Sequence, residues 1–76
     1  MTLYNFNKLS RDQQLSIIWN QAKFLDNMIY KNERLGLYAL DRFFIEITYD
    51  GTWNEITNIK TFKQGELVDK WMFLDE

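Results

Sequence analysis

The chemistry open to this chain rests on its carboxylates. Its 76 residues include no histidine and no cysteine. The usual general base at neutral pH and the thiol nucleophile are both missing. Asp, Glu, Lys, Tyr and Ser10 remain. The pair that position singles out is Glu46 and Glu55, on either side of Asp50–Gly51 in the stretch "IEITYDGTWNEI". If Asp50–Gly51 makes a two-residue turn, Tyr49 pairs with Thr52, Ile45 with Ile56, and Glu46 lies opposite Glu55. Adjacent carboxylates repel, so one pKa rises, and the result is a proton-sharing dyad or a divalent-cation site. A four-residue loop over Asp50–Trp53 pairs Ile47 with Ile56 and Glu46 with Thr57, which leaves Glu46 an ordinary surface carboxylate. Like-charge repulsion favours this second register, and both keep the isoleucines together.

Other chemical signatures are absent. Ser10 heads "SRDQ", a capping-box pattern, so its hydroxyl is expected to cap a helix rather than attack a substrate. The glycines at 36, 51 and 65 are too scattered to cradle a phosphate, and no nucleotide-binding, nucleophile-elbow or EF-hand motif occurs. Without thiolates or imidazoles, a zinc site is nearly excluded. No catalytic residue, cofactor or metal is expected, and the chain reads as a non-enzyme.

The elements that must position Glu46 follow from periodicity. Leu15, Ile18, Trp19 and Ala22 recur at helical spacing behind the Ser10 cap, with Asp12 in the first turn where the helix dipole favours it. This predicts a helix over about 11–22. "KFLDNMIY" predicts a strand near 24–31, and "KNERLG" a polar turn. "LGLYAL" and "FFIEITY" predict two strands joined at Asp41–Arg42. In the second, Phe43, Ile45, Ile47 and Tyr49 share the core face, while Phe44, Glu46 and Thr48 face outward. Ile56 and Ile59 are three apart, so a bulge at Thr57–Asn58 is needed to turn both inward. After Gly65, the spacing of Leu67, Val68, Trp71 and Leu74 predicts a short C-terminal helix. The expected fold is α+β: an N-terminal helix, an antiparallel meander of three or four strands, and a C-terminal helix packed on one sheet face, with Trp19 and Trp71 both between helix and sheet.

Composition bounds the rest. The chain is long enough for one domain, 1–76, with no linker, and its 13 aromatic residues must supply a core that has no disulfide. The absence of cysteine fits a reducing compartment, and the opening residues contain no apolar run of signal or membrane length, so a cytoplasmic setting is expected. The wealth of Asn, Lys, Ile, Phe and Tyr suits an AT-rich bacterial or phage genome. The net charge of −2 lacks the basic surplus of a sequence-independent DNA binder.

The succession "NKLSRDQQLSIIWNQAKFL", "LYALDRFFIEITYD", "NEITNIKTF" and "LVDKW" resembles a set of short uncharacterised bacterial proteins across nearly the whole chain. They share a helix ending in Trp, a Leu-Tyr-x-Leu-x-x-Phe-Phe-x-Glu segment and a closing Ile-x-x-Ile-x-x-Phe. The resemblance implies a common fold and no activity. Its Glu corresponds to Glu46, and glycine often stands where this chain has Ala22.

The resulting expectation is a protein-interaction or small regulatory domain, a homodimer or the partner of a small protein, with an interface at Phe44, Glu46 and Trp53 on the outer sheet face. Two alternatives use the same face. One is weak binding of single-stranded nucleic acid, with bases stacked on Phe44 and Trp53 and charge from Arg42, Lys60 and Lys63. The other is the Glu46/Glu55 carboxylate site. The bland reading is that Phe44 packs beneath the N-terminal arm of Leu3, Tyr4 and Phe6.

Overall fold

The computed structural model describes residues 1–52, 55–63, 65, 66 and 71. Two helices lead into an antiparallel meander, an α+β arrangement. Helix α1 spans Leu3–Asn7 and α2 spans Arg11–Gln21, followed by β1 (Lys23–Tyr30), β2 (Glu33–Leu40), β3 (Phe43–Asp50) and β4 (Ile56–Lys63). The strands lie side by side in chain order, so β1 and β4 form the two edges.

Helix α2 begins as its sequence dictates. The Gln13 backbone N–H donates to the Ser10 hydroxyl, and the Gln13 side chain accepts from the Ser10 N–H. At its other end Ala22 takes an extended conformation, φ −80° and ψ 150°. No left-handed residue is needed there, so alanine serves without strain. Helix α1 has no counterpart in the periodicity. Thr2 caps it by accepting from the Asn5 N–H at 3.1 Å, but five residues are too few to be helical alone. Tertiary contacts hold it: Phe6 is fully buried, its ring 5.7 Å from that of Phe43, and the Thr61 hydroxyl on β4 donates to the Asn7 side chain at 3.1 Å.

Short turns set the strand registers. Lys31 and Asn32 both have positive φ, 52° and 70°, which makes a type I′ turn and closes β1 and β2 on the pair Tyr30/Glu33. The turn is therefore tighter than "KNERLG" suggests. Asp41–Arg42 joins β2 to β3 as expected. Between β3 and β4 neither expected register forms. Asp50 donates its N–H to the Glu55 carbonyl at 2.8 Å, so the hairpin closes at Asp50/Glu55. A bulge then follows, with Tyr49 opposite Ile56 but Thr48 opposite Asn58. Thr57 is the extra residue, and its hydroxyl donates to the Thr48 carbonyl at 3.3 Å. Ile56 and Ile59 both reach the core, as their spacing requires. The later closure and the bulge together bring Lys60, rather than Glu55 or Thr57, opposite Glu46.

Gly51 sits where this hairpin meets the β1–β2 turn. A β-carbon there would lie 2.6 Å from the Asn32 carbonyl oxygen, a backbone atom. Gly51→Ala is expected to cost about 1–3 kcal/mol through overpacking, seen as a lower urea midpoint. An unchanged midpoint would show that the two turns part freely.

Both sheet faces are covered. On one, Phe43, Ile45, Ile47 and Leu40 pack with Phe6 and Ile18 from the helices. On the other, Leu35, Leu37 and Trp71 form a second cluster, with Met28 and Phe44 against it. Trp71 lies on the face opposite α1 and α2, so the cover is not confined to one face. The physical reason lies in β2, whose Leu35 and Leu37 alternate away from Tyr38 and Leu40, so both faces carry apolar surface that needs cover. The expected C-terminal helix, apart from Trp71, lies outside the described residues.

Candidate interaction surface

Glu46 belongs to the interior. It is 3% exposed, and the indole Nε1–H of the equally buried Trp71 donates to its Oε1 at 2.6 Å. The outward-reading strand face is covered there by Trp71. This corrects the expectation of a surface carboxylate. The contact gives Glu46 a clear part in fixing Trp71. Glu55 is exposed and lies opposite Asp50, four positions along β3 from Glu46. The two expected partners of a carboxylate dyad are therefore not brought together. Among the described residues, no group of three or more acidic side chains gathers to hold a metal ion.

Phe44 is half-buried against the Leu35–Leu37–Trp71 cluster. It does not lie beneath the N-terminal arm, because Phe6 takes that arm to the opposite face, onto Phe43. Trp53 lies outside the described residues. Of the basic groups considered for nucleic acid, Lys60 holds its ammonium 5.9 Å from the ring centre of Phe62.

Apart from Tyr4 on α1, the exposed aromatic side chains among the described residues gather where β1 and the end of α2 meet. Ile29 is 77% exposed, and Trp19 and Phe24 are about half exposed. Leu25 and Tyr30 on the same strand are also exposed. Trp19 was expected in the core with Leu15 and Ile18. Its position in the last turn of α2 carries it past the covered part of the sheet, and there it meets the Tyr38 ring edge-on at 5.9 Å. Phe24 also meets Tyr38 edge-on, at 5.5 Å. Phe24 reaches this face through a bulge at Leu25, which breaks the alternation of β1. The sequence held one trace of this, the failure of Phe24, Leu25, Met28 and Ile29 to fit a single two-residue period.

Beside these rings runs an open groove of about 450 Å³ lined by Phe24, Asn27, Ile29, Arg34, Tyr38 and Tyr49. Gly36 leaves its floor without a side chain, and the Tyr38 ring leans across it, 3.3 Å from where a β-carbon would stand. The Arg34 guanidinium lies 5.8 Å from the Tyr49 ring centre. Burial raises the Tyr38 phenol pKa above its usual value, and the charge and hydrogen bond of Tyr49 add to the effect. The folded state thus favours neutral Tyr38, and the unfolded chain releases that proton first. The associated stability is complete below about pH 10, the unfolded tyrosine value, and is lost as pH rises through the higher folded value. Tyr38→Phe should therefore show a shallower loss of urea midpoint between about pH 9 and 11. Identical alkaline slopes would refute the assignment.

Among the described residues no helix is long and apolar enough to cross a membrane. No family model, curated protein or solved structure matches the chain.

Proposed function

We propose that this chain is a non-enzymatic interaction domain that engages another polypeptide along the β1 edge. One observation carries the reading: an edge strand that presents Ile29 at 77% exposure beside half-exposed Phe24 and Trp19. Edge strands offer backbone donors and acceptors to an added strand, and exposed side chains of alternate residues provide selectivity. The opposite edge is less open. The Arg11 guanidinium donates to the Ile56 carbonyl at 3.1 Å, and α1 is tied to Thr61.

On this reading the interface is at β1 and not at Phe44 and Glu46, which support Trp71. The same packing leaves little of Phe44 for base stacking, so a protein partner is preferred to nucleic acid, in keeping with the acidic balance of the chain. A cytoplasmic setting suits a chain without cysteine.

A photo-crosslinking residue at position 29 tests the reading, with position 12 on the exposed start of α2 as the control. A polypeptide adduct at 29 and none at 12 is the expected result. Equal labelling at both positions, or none at 29, would count against a β1 interface.

A further inference from the structure

Resting on that reading, we infer that the partner at the β1 edge is a second copy of this chain, added antiparallel about Met28 so that two sheets become one. The backbone limits the choice of register. The two-residue turn makes Tyr30/Glu33 the closing hydrogen-bonded pair, so Asn27 and Ile29 turn their N–H and C=O groups outward. The Asn27 N–H agrees with this, since it donates to the Asp26 carboxylate at 2.7 Å. A twofold antiparallel pair must match outward residues with outward residues, and partners must share a face.

Centring on Ile29 sets Asn27 against Lys31, whose positive φ of 52° places it in the turn and not in the ladder, so three neighbouring registers remain. Centring on Asp26 sets Asp26 against its own copy, and like charges directly opposite are unfavourable. Centring on Asn27 sets Lys23 against Lys31 and draws the bulge at Leu25 into the ladder. Centring on Met28 avoids both. It pairs Asn27 with the second copy's Ile29, Met28 with Met28, and Asp26 with Tyr30. The last pairing is also complementary in charge, because the Lys31 ammonium lies 5.4 Å from the Tyr30 ring centre. Each Asp26 carboxylate, released from its own Asn27 N–H, then meets a phenol and an ammonium of the other copy, twice by symmetry. Met28 already packs against the Leu35–Leu37–Trp71 cluster, so the Met28 pair extends that apolar layer across the joint.

The paired stretch, Asp26–Tyr30 of each copy, is a small contact, so the dimer belongs to the weak class that buries less than about 1,200 Å². Sedimentation equilibrium of the full chain up to about 1 mM is expected to show monomer and dimer in exchange. Asp26→Lys should weaken the dimer about tenfold, and Asp26→Lys with Lys31→Glu should recover most of the loss, because the pair is restored with its signs exchanged. Register is read separately. The native chain has no cysteine, and the Met28 pair is a close, non-hydrogen-bonded one. Met28→Cys should form a disulfide dimer on mild oxidation, and Asn27→Cys should not. Circular dichroism confirms that each variant folds. A strict monomer at 1 mM overturns the dimer; if position 29 still crosslinks to a different polypeptide, the interaction reading survives without it. A dimer indifferent to Asp26→Lys, or locked by Asn27→Cys, overturns the proposed joint.

Discussion

Replacing Trp71 with alanine is expected to remove about 3–5 kcal/mol of stability, the usual cost of emptying a large aromatic site. A domain of this length holds roughly 4–11 kcal/mol in all, so the variant should be largely unfolded at moderate temperature. The loss has two parts that can be measured apart. One is apolar: Trp71 is 1% exposed and covers Leu35 and Leu37. The other is polar, since its indole N–H donates to buried Glu46 at 2.6 Å. Trp71→Phe keeps much of the first and removes the second, leaving a buried carboxylate without that donor. A double-mutant cycle with Glu46→Leu isolates the pair. The coupling should be about 1–3 kcal/mol, the range over which buried side-chain hydrogen bonds contribute. In the Glu46→Leu chain, Trp71→Phe should then cost much less than in the native one. Urea denaturation followed by circular dichroism gives all four free energies. Additive costs, within about 0.5 kcal/mol, would mean that the indole–carboxylate contact contributes little and Trp71 acts by packing alone.

Burial of Glu46 was not legible in the sequence, and the reason is geometric. Along β3 it alternates with Phe44 and Thr48 opposite an unbroken apolar set, which reads as a solvent face. The cover comes from a residue 25 positions later in the chain, and no local period connects the two. Features enforced by neighbouring residues were legible. The Ser10–Gln13 box fixed the start of α2. The three-residue spacing of Ile56 and Ile59 required the bulge found at Thr57. The β3–β4 register was not, because Asp50 shapes its loop with its side chain. The Asp50 Oδ1 accepts from the Thr52 N–H at 2.7 Å, and this turn within the turn delays closure until Glu55. The interaction surface was missed for a related reason. Helical spacing assigns Trp19 to the face of Leu15 and Ile18, but how far along that face the sheet extends is a tertiary fact.

Helix α1 is the element least legible in the sequence, and it supports the second large expected effect. Phe6→Ala should cost about 3–5 kcal/mol, an unusual amount for a side chain so near the start of a chain. Phe6 is fully buried against Phe43, and the segment around it has almost no helical tendency to fall back on, because five residues cannot sustain a nucleus. Removing the ring should therefore release the whole element. Amide exchange distinguishes this from a simple cavity. The Phe6 N–H donates to Thr2 at 3.0 Å, and those of Lys8 and Leu9 donate to Asn5 and Phe6 at 3.3 and 3.1 Å. All three should lose protection together in the alanine variant. The effect should reach α2 as well, where the Gln14 side chain donates to the Phe6 carbonyl at 3.0 Å. Phe6→Leu, which keeps most of the volume, should cost under about 1.5 kcal/mol and retain that protection. If Phe6→Ala instead costs less than about 1 kcal/mol, with α1 amides protected as before, the helix is held by its Thr2 cap and Asn7 contact. The leading residues would then be a self-sufficient element rather than a strap anchored by one ring.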